Sequence, residues 1–265
     1  MPEAVTLIDT HVHLRPSHDP ARILDGALRH FERASMRLGA KDCLGVLMLS
    51  EAKGEHGYDR LASARSPVGR WRVEQPDDPL VIRCRRDDEN SILIVNGRQV
   101  ATSRGLEVLT LASDVEIEDG LGIEETIERG LEAGALVTLP WGFGKWTGNR
   151  KAVMLGLVRR FGPAGVALGD SAGRPAGLGE GAIFGLAREL GVPILPGTDP
   201  LPIPGHSKRA GRYGLWLEGM LDQRALSADL RERLALPRGP DATIGWRDGL
   251  ASAFLTQIRL RIGKP

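Results

Sequence analysis

The stretch Ala4-Val5-Thr6-Leu7-Ile8-Asp9-Thr10-His11-Val12-His13-Leu14 opens as a short apolar run and ends in residues that carry chemistry. Ala4–Asp9 is too short for a helix and too continuously apolar for a half-exposed strand, so it reads as a strand buried on both faces. Pro20 then opens an amphipathic stretch to about Leu38. It places Ile23, Leu24, Ala27, Leu28 and Phe31 on one helical face, with Pro suited to the first turn and Gly39 to the end. Cys43–Leu49 is a second buried strand. Strand, helix, strand, each with covered faces, predicts an α/β protein built on a parallel sheet.

Working outward, Glu51–Ser66 is polar and reads as loop plus a short helix. Between Val68 and Ser113 the pattern changes to short strand candidates: Arg70–Val73, Leu80–Arg85, Ser91–Val95, Arg98–Thr102 and Leu106–Leu111. Turn signals at Gln75–Pro79, Asp87–Asn90, Asn96-Gly97 and Arg104-Gly105 separate them. The first two alternate like a polar hairpin, and Asn96-Gly97 fits either a tight hairpin turn or a kink in a longer strand. The strand–helix rhythm returns with a helix at Ile123–Ala133, a strand at Ala135–Leu139, a helix at Lys151–Phe161, a strand at Gly165–Leu168, a helix at Gly179–Leu190 and a strand at Val192–Leu195. Past Gly197 the chain reads as helical, roughly over Tyr213–Leu221, Ser227–Leu234 and Ala242–Ile262. The expectation is a distorted or incomplete TIM-like (β/α)7 barrel with a β-hairpin insertion at 68–90, forming one domain over 1–265. An open doubly wound sheet is the alternative.

Composition narrows the function classes. The 265 residues are 42% apolar and 26% charged, ordinary for a globular chain. The net charge is +1, from 35 basic and 34 acidic side chains, so no long-range field draws nucleic acid or an anionic membrane to the surface. No apolar run approaches the ~18–20 residues of a membrane helix. The N-terminus lacks a basic region followed by an apolar stretch, so it does not read as a signal peptide, and the expected location is cytoplasmic. Cys43 and Cys84 lack a CxxC partner, which disfavours a disulfide framework and a structural zinc site. Oligomeric state is left open, a homo-oligomer included.

In parallel α/β folds ligands bind where strands end. After the first strand comes His11-Val12-His13. Residues two apart in extended chain point the same way, so both imidazoles can share a divalent zinc, manganese or iron ion. Asp199 follows the strand at Val192–Leu195, in the turn Gly197-Thr198-Asp199-Pro200, and can bind the same ion or act as general base. Taken alone, it reads as an Asx turn or helix cap; the pairing with His11 and His13 brings the metal reading level with that one.

These two segments resemble the signatures of the polymerase-and-histidinol-phosphatase (PHP) family and of the amidohydrolase superfamily, which shares the barrel and the HxH. The resemblance implies a metal-dependent hydrolase with a cluster of up to three metals. The departures are large. Of six histidines, at 11, 13, 18, 30, 56 and 206, none falls between 57 and 205, where mid-barrel ligands are expected. The Gly-x-Glu element of the family reads Gly97-Arg98-Gln99, and the final Asp-x-His reads Asp199-Pro200-Leu201. His11, His13 and Asp199 carry over, with Glu51, His56, Asp170 or His206 as further donors, which points to one metal rather than three.

The functional expectation is a hydrolase of a small phosphoester, or of an amide or ester, acting through metal-activated water, with Asp199 as metal ligand and catalytic base. Substrate-binding candidates for an anionic small molecule are Arg98, Trp141, Lys145, Asp170, Arg174, His206 and Arg209. The second hypothesis is a degenerate, non-catalytic PHP-like protein that binds a small anionic ligand. Gly142-Phe143-Gly144-Lys145 lacks the spacing of a nucleotide-binding P-loop. Gly169-Asp170-Ser171-Ala172-Gly173 matches GxSxG in form, but Arg174-Pro175 interrupts the helix that a nucleophile elbow requires.

Overall fold

The computed structural model describes residues 2–86 and 90–262. The expected turn at Asp87–Asn90 therefore lies largely outside the described residues. In chain order the strands are β1 (Ala4–Val12), β2 (Asp42–Leu49), β3 (Trp71–Glu74), β4 (Val81–Arg86), β5 (Asn90–Val95), β6 (Gly97–Ala101), β7 (Glu107–Leu111), β8 (Leu136–Pro140), β9 (Ala167–Ser171), β10 (Ile194–Gly197), β11 (Tyr213–Glu218) and β12 (Thr243–Gly245). The helices are α1 (Pro20–Leu38), α2 (Gly57–Ala62), α3 (Ile123–Glu132), α4 (Asn149–Phe161), α5 (Gly181–Glu189), α6 (Leu226–Leu234) and α7 (Leu250–Ile262), with a 3₁₀ turn at His206–Arg209.

The mixed α/β character is as expected, but the strands form two sheets. One has seven strands in the order β12-β11-β1-β2-β5-β4-β3; the other has five, β10-β9-β8-β7-β6. Among the described residues these ladders do not close into a barrel. Backbone hydrogen bonds stitch the sheets at two places. Glu51 N donates to Gly97 O and Gln99 N to Glu51 O on one side, and Asp199 N donates to His11 O at 2.8 Å on the other. The departure from an all-parallel ring has a local cause. The turn between β6 and β7 is too short for a crossover, so these two strands pair antiparallel, and β7 also runs antiparallel to β8, which follows α3.

Three apolar clusters define the layers. Leu7, Val12, Phe31 and Trp71 pack beneath α1, whose buried face is Ile23, Leu24, Ala27, Leu28 and Phe31. Ile8, Val46, Met48, Leu93, Leu109 and Leu195 fill the space between the sheets. Val108, Val137, Leu168, Met154 and Phe184 lie under the helices of the second sheet. β1 is buried on both faces, and alternate side chains serve different clusters, Leu7 the first and Ile8 the second.

The hairpin expected at 68–90 is β3–β4, paired antiparallel and extended by β5. At Asn96-Gly97 the chain kinks and passes from one sheet to the other, so this is not a hairpin turn. The helix expected over Tyr213–Leu221 is a strand: β11 runs antiparallel to β1, with Leu215 opposite Ile8. A Cβ at Gly214 would sit 2.1 Å from Ile8 O, so glycine permits this close approach. The expected helix at Ala242–Ile262 is likewise divided into β12 and α7. No helix among the described residues is long and apolar enough to cross a membrane.

Candidate metal centre

β1 carries His11 and His13 past an irregularity in its register with β2, between Asp9 and Val12, to the rim of the sheet. Their Nε2 atoms face each other at 3.2 Å. Asp199 follows β10 in the left-handed region, φ 47°, which Asp tolerates better than most residues. Its Oδ1 lies 3.8 Å from His11 Nε2 and 3.6 Å from His13 Nε2. A point equidistant from these three atoms is about 2.1 Å from each, within the ~2.0–2.2 Å of zinc–nitrogen and zinc–carboxylate bonds. The donor set therefore fits one divalent ion, and it is the one such group among the described residues.

The surroundings prepare these atoms. His13 Nδ1 lies 2.9 Å from Glu55 Oε2, an acceptor, so the ring proton belongs on Nδ1 and the Nε2 lone pair faces the cluster. Glu55 is held in turn by Arg15 and by the Ala52 N–H; against burial, the bond to His13 first, then Arg15 and Ala52, keeps its carboxyl below the usual range. Burial, with the positive fields of Arg15 and Lys145, lowers His11 to about 4 against the pull of Asp199, which leaves a neutral imidazole at pH 7. Burial alone would raise Asp199, but the field of His11, protonated in the acid range where the carboxyl titrates, joined by those of Arg15 and Lys145, holds it below the ordinary carboxylate range. Asp9 plays a different part. Burial pushes it up to about 7, and it accepts from the Thr198 hydroxyl and from the N–H groups of Thr198, Gly211 and His11. It brackets three chain segments and leaves the metal to its neighbours.

A cleft of about 200 Å³ opens beside His11 and Asp199. Trp141, Lys145, His206 and Arg209 line it, and α7 contributes Ala253, Thr256 and Leu260 to its wall. Lys145 is paired with Glu107, and Arg209 Nη1 with Asp248 Oδ2 at 2.8 Å. His206 is buried, and its Nδ1 lies 3.4 Å from the Leu201 N–H.

The other candidates lie apart from the cluster. Arg98 lines no part of this cleft and pairs with Glu116 at 2.9 Å. Asp170 and Arg174 form a buried two-point ion pair at 2.6 and 2.8 Å, completed by the Tyr213 hydroxyl, so neither is free for a ligand in this cleft. Glu51 accepts from the Tyr58 N–H at the start of α2, and His56 is exposed. Ser171 lines the cleft, but the chain turns after β9 and the next helix, α5, begins ten residues on, so no nucleophile elbow forms. Cys43 and Cys84 are free thiols.

Two residues of the site escape the sequence argument. Glu55 sits in a loop with nothing to mark it. Glu107 had a signal: the Gly-x-Glu pattern occurs at Gly105-Leu106-Glu107, eight residues beyond the place expected for it. Because β7 is antiparallel to β8, its first residue lies at the rim where β8 ends.

Fold and site together define a two-sheet α/β protein with a His-His-Asp cluster at the strand ends. No protein-family model matches the chain, and no curated protein matches it. Among solved structures it is similar to PsfC from Pseudomonas syringae PB-5123, over 98% of this chain and 98% of that one, with a TM-score of 0.55 and 14% identity. It is also similar to Endonuclease Q in complex with a 27-mer duplex carrying an abasic lesion (TM-score 0.48, 15% identity, 84% of this chain and 56% of that). A third likeness is to the lesion-specific endonuclease PfuEndoQ from Pyrococcus furiosus (TM-score 0.46, 16% identity, the same coverages). At 14% identity the likeness to PsfC is one of fold.

Proposed function

We propose that this chain is a metal-dependent hydrolase, a divergent relative of the PHP and amidohydrolase-like proteins, acting on a small anionic phosphoester, with an amide or ester as the other substrate class. The observation that carries it is the convergence of His11 Nε2, His13 Nε2 and Asp199 Oδ1 at separations that fit one ion. That ion, zinc, manganese or iron, supplies Lewis acidity and lowers the pKa of water toward ~7. The chain's own residues do the rest. Glu55 holds the His13 ring in the tautomer that presents its lone pair. Asp199, partly open to the cleft, is placed to accept a proton from water. Arg209 and Arg212 share the one carboxylate of Asp248, which leaves positive charge at the cleft wall beside the Lys145–Glu107 pair, and Trp141 offers an apolar face.

The test is elemental analysis of protein purified without chelators, with turnover of p-nitrophenyl phosphate and p-nitrophenyl acetate after addition of zinc, manganese or iron. The expected result is about one metal per chain and activity lost in H11N/H13N. Protein that takes up no metal and gains no activity overturns the proposal. It would favour a non-catalytic anion-binding protein, the reading supported by the lack of any histidine between 57 and 205.

A further inference from the structure

We propose that the groove flanking the Asp170–Arg174 pair is a second binding site, one that takes the phosphate group of a small organic molecule on Arg247 and Arg238. This groove shares no lining residue with the cleft beside His11 and Asp199. It offers about 440 Å³, within the ~300–1,000 Å³ range of small-molecule sites.

The charges of its lining do not balance. Four arginines line it, Arg174, Arg188, Arg238 and Arg247, against two acidic residues, Asp170 and Glu180. Asp170 is taken by Arg174, and Glu180 by Arg188. Arg238 donates only to neutral acceptors, the carbonyls of Arg233 and Leu236. Arg247 has no hydrogen bond or ion pair to any described residue, and its Nη1 is sealed from solvent.

Other arginines have a buried Nε without a hydrogen bond, namely Arg15, Arg83, Arg85 and Arg212. Arg15, Arg83 and Arg212 spend another nitrogen on Glu55, Gln223 and Asp248 respectively, and Arg85 keeps an ion pair with Glu74 at 3.4 Å through that same Nε. Arg247 alone of the five holds its charge with no acceptor at all. A buried donor in that state is costly, and an oxyanion supplies the missing acceptors. Guanidinium forks match the geometry of phosphate. The exposed indole of Trp246 and the ring of Pro240 border the same groove and give the organic part of the ligand an apolar surface.

The experiment is calorimetric titration of the whole chain, freed of metal, with inorganic phosphate at low ionic strength, and with acetate as a singly charged comparison. Saturable binding of one phosphate per chain is expected, weakened at least tenfold in R247A, partly restored in R247K and unchanged in H11N/H13N. Acetate should bind at least tenfold more weakly than phosphate. In phosphate-free buffer R247A should melt at or above the wild-type temperature, because it removes a costly unpaired donor and no bond, and it should lose the rise in melting temperature that phosphate gives the wild type. Absence of saturation, wild-type affinity in R247A, loss of binding in H11N/H13N, equal binding of acetate, or a lower melting temperature of R247A without phosphate overturns the assignment. None of these outcomes bears on whether the His-His-Asp cluster holds a metal.

Discussion

Glu55 touches no substrate and belongs to no motif, yet its carboxylate fixes the His13 ring through Nδ1 at 2.9 Å. Outer partners of this kind typically change metal affinity 10–100-fold when removed. Glu55→Ala is therefore expected to weaken metal binding by about that factor, measured by competition with a chromophoric chelator, while Glu55→Gln, which keeps an acceptor, should lose less. At this scale the sequence was partly legible. His11 and His13 announce themselves because a two-residue spacing in a strand puts both on one side. Asp199 needed the strand before it as well as its own turn. Glu55 was invisible, since it reaches His13 from a loop 42 positions away and only folding brings them together.

Among the elements, the junction between β5 and β6 is pinned by backbone from both sheets. A Cβ on Gly97 would lie 2.5 Å from Leu49 O and 3.0 Å from Thr110 O, backbone atoms that belong to different sheets and cannot both retreat. Gly97→Ala is expected to destabilise by about 2–3 kcal/mol in denaturant unfolding. Gly156, in α4, is the contrast. It is exposed and has nothing within 4 Å of an added Cβ, so Gly156→Ala should stabilise by about 0.5–1 kcal/mol. Elements with one strong period, such as α1 and β1, were readable from their apolar spacing. β11 was not. Tyr213, Leu215 and Leu217 alternate inward, but the short apolar run Tyr213–Leu217 also satisfies a helical face, and its pairing partner lies about 200 residues earlier.

Across the whole molecule, buried ionisable groups act in opposite directions on stability. Burial holds Glu51 at about 7 against an ordinary value of 4.5, so the folded state binds the proton more tightly than the unfolded chain does. That term favours folding at low pH and is lost as pH rises from about 4.5 to 7. Burial lowers His11 and His206 to about 4, and their terms run the other way, improving stability as pH rises from about 4 to 6.5. The wild-type profile is consequently a sum of opposed slopes, and difference measurements are the clear readout. Glu51→Gln should gain on the wild-type protein between pH 4.5 and 7, by about 2–3 kcal/mol in total, and hold that gain above pH 7. An advantage that shrinks with rising pH would show that Glu51 is ionised in the folded state at low pH. Of the expected distorted or incomplete (β/α)7 barrel, the α/β character is present, but the strands lie in two sheets, for a reason visible only in three dimensions. The short link between β6 and β7 reverses the strand direction there, which the apolar spacing of the two strands does not reveal.

The main-chain bond from Asp199 N to His11 O ties two of the three donor residues together through their backbones rather than their side chains. A chelator should then empty the centre without unfolding anything around it, unlike a zinc finger, in which the ion is the scaffold. The amide of Asp199 should remain among the slowly exchanging protons whether or not an ion is bound, and loading should cost little ordering entropy because the pocket waits ready-made.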